Sequence, residues 1–410
     1  MRFIHTAKLA LILCASFFHL AGAAEIDIVN SPVPVVLEDR LTVTGTSGAG
    51  EVPIRVSRDW RVEQADIMRA VIIIHGWPRR DIDADKDLQG RAGSLAAGTV
   101  FVTPQFLTEV DVQAHHLSPV TLRWKQRDWL QGYDARSPAP ISAFSVIDQI
   151  FSHLADRRLF PHLEDIVLAG HSAGGQFVQR YAVVGRGAQE ISASPIRVRY
   201  VVANPAAYLY FDDRRPQMDG SFADVGAQCP TAGVWNNGLS SSVPSYVQKP
   251  VEAAALEKAY LQRDVVYLLG TADNDPNADA VGQSCTYKSQ GATRLERGHA
   301  YFRYLRAAAD AAHLPQRHRL FEVAGVAHRT FAMYHSSCGL AAIFDRPYCE
   351  PPLAPGRRML NQVSPEKDSQ QNITSTPSAN TRMPTKTSGD SVLISPVAGS
   401  QCVADQCLAQ

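Results

Sequence analysis

The chain has 410 residues, and its 40 Lys and Arg balance 40 Asp and Glu, so the formal net charge at pH 7 is 0. That balance excludes the basic footprint of a nucleic-acid binder and the charge that draws a protein to an anionic membrane. With 45% hydrophobic residues the chain has material for a large core, and α/β folds routinely use about 250 residues as one domain.

The first 23 residues read as a signal peptide. Arg2 and Lys8 supply a positive start, Leu9 to Leu20 is mostly apolar, and Ala21-Gly22-Ala23 offers a small-x-small cleavage site. The apolar run is too short for a permanent anchor, and Leu13 is too bulky to make Cys14 a lipid-attachment site. The expected location is secreted or periplasmic, with no membrane partner. Of the 7 cysteines, all but Cys14 follow this leader: Cys229, Cys285, Cys338, Cys349, Cys402 and Cys407. An even number in an oxidising compartment favours disulfides over metal, and no Cys-x-x-Cys is present. Proximity favours Cys338 with Cys349 and Cys402 with Cys407, leaving Cys229 for Cys285, although other pairings remain open.

In chain order, residues 24–60 alternate apolar and polar positions (Ile26, Ile28, Val36, Leu41, Val43) around a Gly-rich stretch at 45–50, which reads as leading antiparallel strands. Ala70 to Ile74 is the clearest buried strand and ends at His75-Gly76-Trp77-Pro78. Asp81 to Asp87 resembles the start of a calcium loop, but Lys86 and Ala92 stand where such a loop needs Gly and Glu. The acids suit the solvated start of a helix better. A strand at 99–102 precedes a long polar loop carrying Trp124, Trp129 and Tyr133. Ala143, Val146, Ile147, Ile150, Phe151 and Leu154 then form one helical stripe.

Next comes Asp165-Ile166-Val167-Leu168-Ala169-Gly170-His171-Ser172-Ala173-Gly174-Gly175, a buried strand running into a tight turn. After it, Phe177, Tyr181 and Val184 recur at helical spacing. Strand, Gly-x-Ser-x-Gly and helix together describe a nucleophile elbow. Further strands are read at 197–203, 265–269 and 320–323. Between the first two, residues 208–263 lack a strong period until Val251 and read as a cap-like excursion over the sheet edge, near the active site. Tyr301, Tyr304, Leu305 and Ala308 mark a helix, and Phe331 to Phe344 reads as a single closing helix. From 351 to 410 the composition turns to Pro, Ser, Thr, Gln and Asn, which cannot bury enough surface to offset the entropy of ordering. This tail is expected to be disordered, and Asn372-Ile373-Thr374 within it matches a glycosylation acceptor. The domain proper is read as 24–350.

Strands alternating with helices imply a mainly parallel sheet with helices on both faces. Functional groups of such sheets gather beyond the carboxyl ends of the strands. His75, Ser172, Asp273 and His328 all stand there. A serine needs a base to take its proton and a third group to orient that base. His328, after the last strand in the small-residue turn Gly325-Val326-Ala327, is the expected base, whereas the side chain of His171 should point elsewhere. Asp273 is the expected orienting acid, with Asp275 as the rival. An oxyanion hole would use the backbone N–H of Ala173 at the helix N-terminus and that of Trp77, or Gly76, after the first parallel strand.

On Gly170-His171-Ser172-Ala173-Gly174, His75-Gly76-Trp77, Gly270-Thr271-Ala272-Asp273 and Gly325-Val326-Ala327-His328, residues 65–345 resemble the α/β-hydrolase superfamily, and its secreted serine esterases in particular. Secreted polyester depolymerases and feruloyl esterases share the Ser-Ala-Gly-Gly elbow, while the His-Gly-Gly-Gly loop of the hormone-sensitive-lipase group is missing. The resemblance implies an α/β-hydrolase fold and a Ser172–His328–Asp273 triad that cleaves a small or polymeric ester through an acyl-enzyme; the same triad would serve a serine peptidase or amidase, and a non-catalytic binding protein on this fold is the remaining alternative. It implies no metal and no organic cofactor.

Overall fold

The computed structural model describes residues 30–347 and 349. They fall within one compact unit, Met1–Gly356. The leader, Ile26 and Ile28, the 351–410 tail, Asn372 and the proposed Cys402–Cys407 pair lie outside the described residues.

The leading strands β1 (Asp39–Gly45) and β2 (Gly48–Val56) form a hairpin in which Gly45 faces Gly48 across the turn. Gly48 takes φ +135, open to glycine and strained for other residues. β3 (Arg69–Ile74) follows, then α1 (Ala84–Ala92), β4 (Thr99–Pro104), α2 (Glu109–Ala114) and α3 (Ala143–Leu154). The second half holds β5 (Asp165–His171), α4 (Ala173–Val184), β6 (Arg197–Ala203), the short hairpin of β7 (Arg214–Pro216) and β8 (Phe222–Asp224), α5 (Ala253–Leu261) and β9 (Asp264–Gly270). It closes with α6 (Arg294–Ala311), β10 (His318–Val323), α7 (Thr330–His335) and α8 (Ser337–Ile343).

The main sheet has 8 strands in the order β1-β2-β4-β3-β5-β6-β9-β10. β2 pairs antiparallel with β1 and β4, and every pairing from β4 to β10 is parallel. β5 lies in the middle of the parallel part, between β3 and β6. Because strand side chains alternate between faces, Ile72, Ile74, Leu168, Val202 and Tyr267 pack with α3, α4, α5 and α6 on one side. Val71, Ile73, Val167, Val201 and Leu268 pack with α1, α7 and α8 on the other. Each fully buried side chain of this size contributes about 1.5–3 kcal/mol.

Three expectations change in detail. The loop after β4 contains α2 and a turn at Trp129–Gln131, and Trp124 and Trp129 are buried. Its polar composition conceals a buried ion pair: Asp111 accepts Arg79 Nε at 3.0 Å, with both side chains 0% exposed. Burial pushes the Asp111 carboxyl up, and the Arg79 guanidinium with the Thr108 donors outweighs that and holds it below the usual range. The single closing helix is two, broken at Ser336, whose side chain caps the second by accepting Gly339 N–H at 2.8 Å.

The 208–263 segment forms part of the helical layer of α3, α4 and α6. Tyr208, Tyr210, Trp235 and Tyr246 join that core, Arg180 of α4 donates to the Asn236 carbonyl at 3.1 Å, and Cys229–Cys285 ties the segment to the region after β9. These aromatic anchors are spaced without a helical or strand period, so the sequence pattern reads as an excursion over the sheet edge and not as core. A second disulfide joins Cys338 to Cys349. Among the described residues no helix is long and apolar enough to cross a membrane.

Candidate active site

The turn from β5 into α4 is shaped by what cannot fit there. Ser172 holds φ 57 and ψ −119, a strained backbone for a residue with a side chain. A Cβ on Gly170 would stand 2.2 Å from the Gly174 carbonyl oxygen, and one on Gly174 would stand 2.3 Å from that of Ile74. A Cβ on Gly175 would stand 2.6 Å from the Ala203 oxygen. Glycine at all three positions lets α4 start directly against the ends of β3 and β6. The Ser172 N–H donates to Ala203 O at 2.9 Å, which fixes the elbow to β6. Ser172 is half-buried, with Ala173 buried behind it as the first residue of α4.

The structure brings Ser172, His328 and Asp273 together. His328 Nε2 lies 2.9 Å from Ser172 Oγ, and His328 Nδ1 lies 2.7 Å from Asp273 Oδ2. The carboxylate fixes the tautomer: Nδ1–H donates to Asp273, which leaves Nε2 as the acceptor for the serine hydroxyl. Asp273 is 4% exposed, and its other oxygen accepts Arg294 Nη1 at 3.1 Å. Asp275 is exposed and turns back to accept Asn277 N–H at 2.8 Å, away from His328. Gly270 starts the acid's loop; a Cβ there would meet the Val326 oxygen at 2.4 Å, so the acid and base loops cross at that glycine.

His75 ends β3 and serves as a buried clamp. Its Nε2 accepts the Phe106 N–H at 3.0 Å, so Nδ1 carries the proton and donates to Gly76 O at 2.8 Å. Burial lowers its pKa to about 4, so it is neutral at pH 7. Trp77 follows it, half-buried, with the Arg127 guanidinium 4.4 Å above its ring. Since Gly174 packs on the Ile74 and His75 carbonyls, the Trp77 turn and the Ala173 end of α4 are neighbours. Among the described residues no group of three or more His, Cys, Asp or Glu is arranged to hold a metal.

Sequence reasoning missed Arg294 and Thr330. Arg294 opens α6 and reads as an ordinary surface cation, yet it is 2% exposed and pairs with the acid. Nothing local marks it, because its partner stands in a different loop.

A solved poly(3-hydroxybutyrate) depolymerase from Bordetella parapertussis is similar in structure, with a TM-score of 0.50. The fold is that of the α/β-hydrolases. That likeness has 18% sequence identity over 76% of this chain and 92% of the other. A poly(aspartic acid) hydrolase from Sphingomonas sp. KT-1 is similar at 21% identity, covering 74% of this chain and 96% of its own, with a TM-score of 0.49. An esterase from Pyrobaculum calidifontis is similar at 17% identity over 80% of this chain and 89% of its own, with a TM-score of 0.38. No protein-family model matches this chain, and no curated protein matches it in sequence.

Proposed function

We propose that this protein is an exported serine hydrolase that cleaves carboxylic esters through an acyl-enzyme on Ser172. The observation that carries the reading is the continuous hydrogen-bond path from Ser172 Oγ through His328 to buried Asp273. In this mechanism Ser172 Oγ attacks the ester carbonyl while His328 Nε2 takes the hydroxyl proton. Asp273 stabilises the imidazolium and keeps its ring in register, and Arg294 holds the carboxylate so that Oδ2 faces Nδ1. The N–H groups of Ala173 and Trp77 receive the negative charge that develops on the carbonyl oxygen, aided by the α4 dipole. Collapse returns the proton from Nε2 to the departing alcohol and leaves the acyl group on Oγ. Water then attacks the acyl carbon, giving its proton to Nε2, which hands it back to Oγ as the acid leaves.

Ser172 and His328 both reach solvent, which suits a bulky or polymeric ester as well as a small one. The pairs Cys229–Cys285 and Cys338–Cys349 support an oxidising, extracytoplasmic setting.

A fluorophosphonate probe tests the reading. It should label the wild type at Ser172 and leave Ser172→Ala unlabelled, and a panel of matched esters and amides, with a polyester film added, should show turnover of esters first. Labelling elsewhere, or a wild type inert to every ester, would overturn it.

A further inference from the structure

His171 stands one position before the nucleophile, buried at the end of β5, and its polar contacts form an ordered chain. Gly270 N–H donates to Asn204 Oδ1 at 2.9 Å, which fixes the amide orientation. Asn204 Nδ2 therefore faces His171 Nε2, at 3.5 Å. With Nε2 accepting, the proton of neutral His171 sits on Nδ1 and donates to Thr330 Oγ1 at 2.9 Å. The Thr330 hydroxyl then donates to Asp81 Oδ2 at 3.1 Å. Burial first, then the nearby His328 and Arg294, push the pKa of His171 well below the ordinary value, so the ring stays neutral.

The two ends of this chain belong to different parts of the site. Asp81 lies in the turn that carries Trp77, close enough that a Cβ on Gly76 would stand 3.1 Å from its Oδ2. Thr330 opens α7, two residues after His328. In the loop before it only Val326 packs on the core: Ala324, Gly325 and Ala327 are exposed, and Gly325 is tied by its N–H to Thr271 Oγ1 at 2.8 Å. The His171 ring lies 4.5 Å from that of His328, tilted by 40°, and so backs the base on the side away from solvent.

We propose that Asp81, Thr330 and His171 form a latch that draws the turn bearing the oxyanion donor against the loop bearing the base, with Asp81 and Thr330 as positioning residues for His328. This rests on the triad reading above. The latch acts through geometry: a misplacement of about 1 Å at the reacting atoms costs on the order of a hundredfold in rate, and the Thr330–Asp81 bond joins these two segments directly.

The test is a mutant cycle with a rescue. Thr330→Val keeps the shape and removes the hydroxyl; it should lower kcat about tenfold or more while leaving KM within about twofold. Thr330→Ser should restore most of the rate. Asp81→Ala should lose a similar factor alone and almost nothing further in the Thr330→Val background, since one chain is cut only once. A Thr330→Val enzyme with wild-type kcat, a serine variant as poor as the valine one, or multiplicative losses in the double mutant would each overturn the latch. Independently of turnover, nitrogen-15 spectra of labelled histidines should show His171 neutral with its proton on Nδ1 at pH 7; a proton on Nε2 would overturn it. Fluorophosphonate labelling separates the two levels. An unlabelled wild type means the triad reading failed, whereas a labelled wild type with an indifferent Thr330→Val means the latch alone failed.

Discussion

Ser172 and His328 meet at 2.9 Å, yet the segments that carry them are held by opposite means. The elbow is built from backbone against backbone: glycines at 170, 174 and 175 press on carbonyl oxygens of neighbouring strands, and all 12 residues of α4 behind it are buried. The His328 loop is largely exposed; it donates to Asp273 and Thr271, and the Thr330 that follows it is bonded to His171. The proposed nucleophile is thus held mainly by sterics, and the proposed base mainly by polar partners. A rigid elbow keeps the strained Ser172 backbone from relaxing. His328, as the proposed base, stays close to solvent and keeps its orientation through directional bonds.

Removing function from either side without disturbing its support should give the largest effects. Ser172→Ala should lower kcat by about 10⁴–10⁶ with the melting temperature unchanged, since the triad acts as a unit; steady-state kinetics beside a thermal scan checks both. A variant retaining a tenth of the rate would remove Ser172 as nucleophile. On the base side, Asp273→Asn should cost on the order of 10⁴ in kcat, because the amide favours the wrong His328 tautomer.

Adding a methyl group to each segment probes the support itself. Gly174→Ala forces a Cβ to 2.3 Å from a backbone oxygen, so a destabilisation on the order of 4 kcal/mol or failure to fold is expected. Gly325→Ala meets open space and suffers only from φ +71, so about 1 kcal/mol is expected. Equal losses in denaturant melts would erase the contrast between a steric and a polar support.

Acid should also act on the buried frame. Burial lowers the pKa of His75 and of His318 to about 4 in the folded chain, against about 6.5 when unfolded. The unfolded state then binds more protons between those values, so stability is complete above about pH 6.5 and falls as pH drops through about 4. Each ring contributes up to about 3 kcal/mol to this loss, read as a fall in melting temperature between pH 7 and pH 4. A flat profile would mean that neither ring is buried as described. The smallest effect is reserved for Asp275→Asn, whose carboxylate only closes its own turn; kcat should stay within about twofold.

The amino-acid sequence by itself determined the strands, the elbow and the choice of Ser172 and His328, with Asp273 or Asp275, as the residues to bring together. It could do so because periodicity and the steric demands of a tight turn are properties of neighbouring residues. Gly170, Gly174 and Gly175 announce the elbow for that reason. Only the tertiary structure decided which carboxylate meets the base, since Asp273 and Asp275 are locally alike and stand 55 and 53 residues from His328 in the chain. It alone also buried Arg294 on Asp273 and Arg79 on Asp111, and set half-buried Thr330 between buried His171 and exposed Asp81. A charged or hydroxylic side chain belongs in the interior only when a partner offsets its desolvation, and these partners arrive from other loops of the folded chain, where no local pattern reaches.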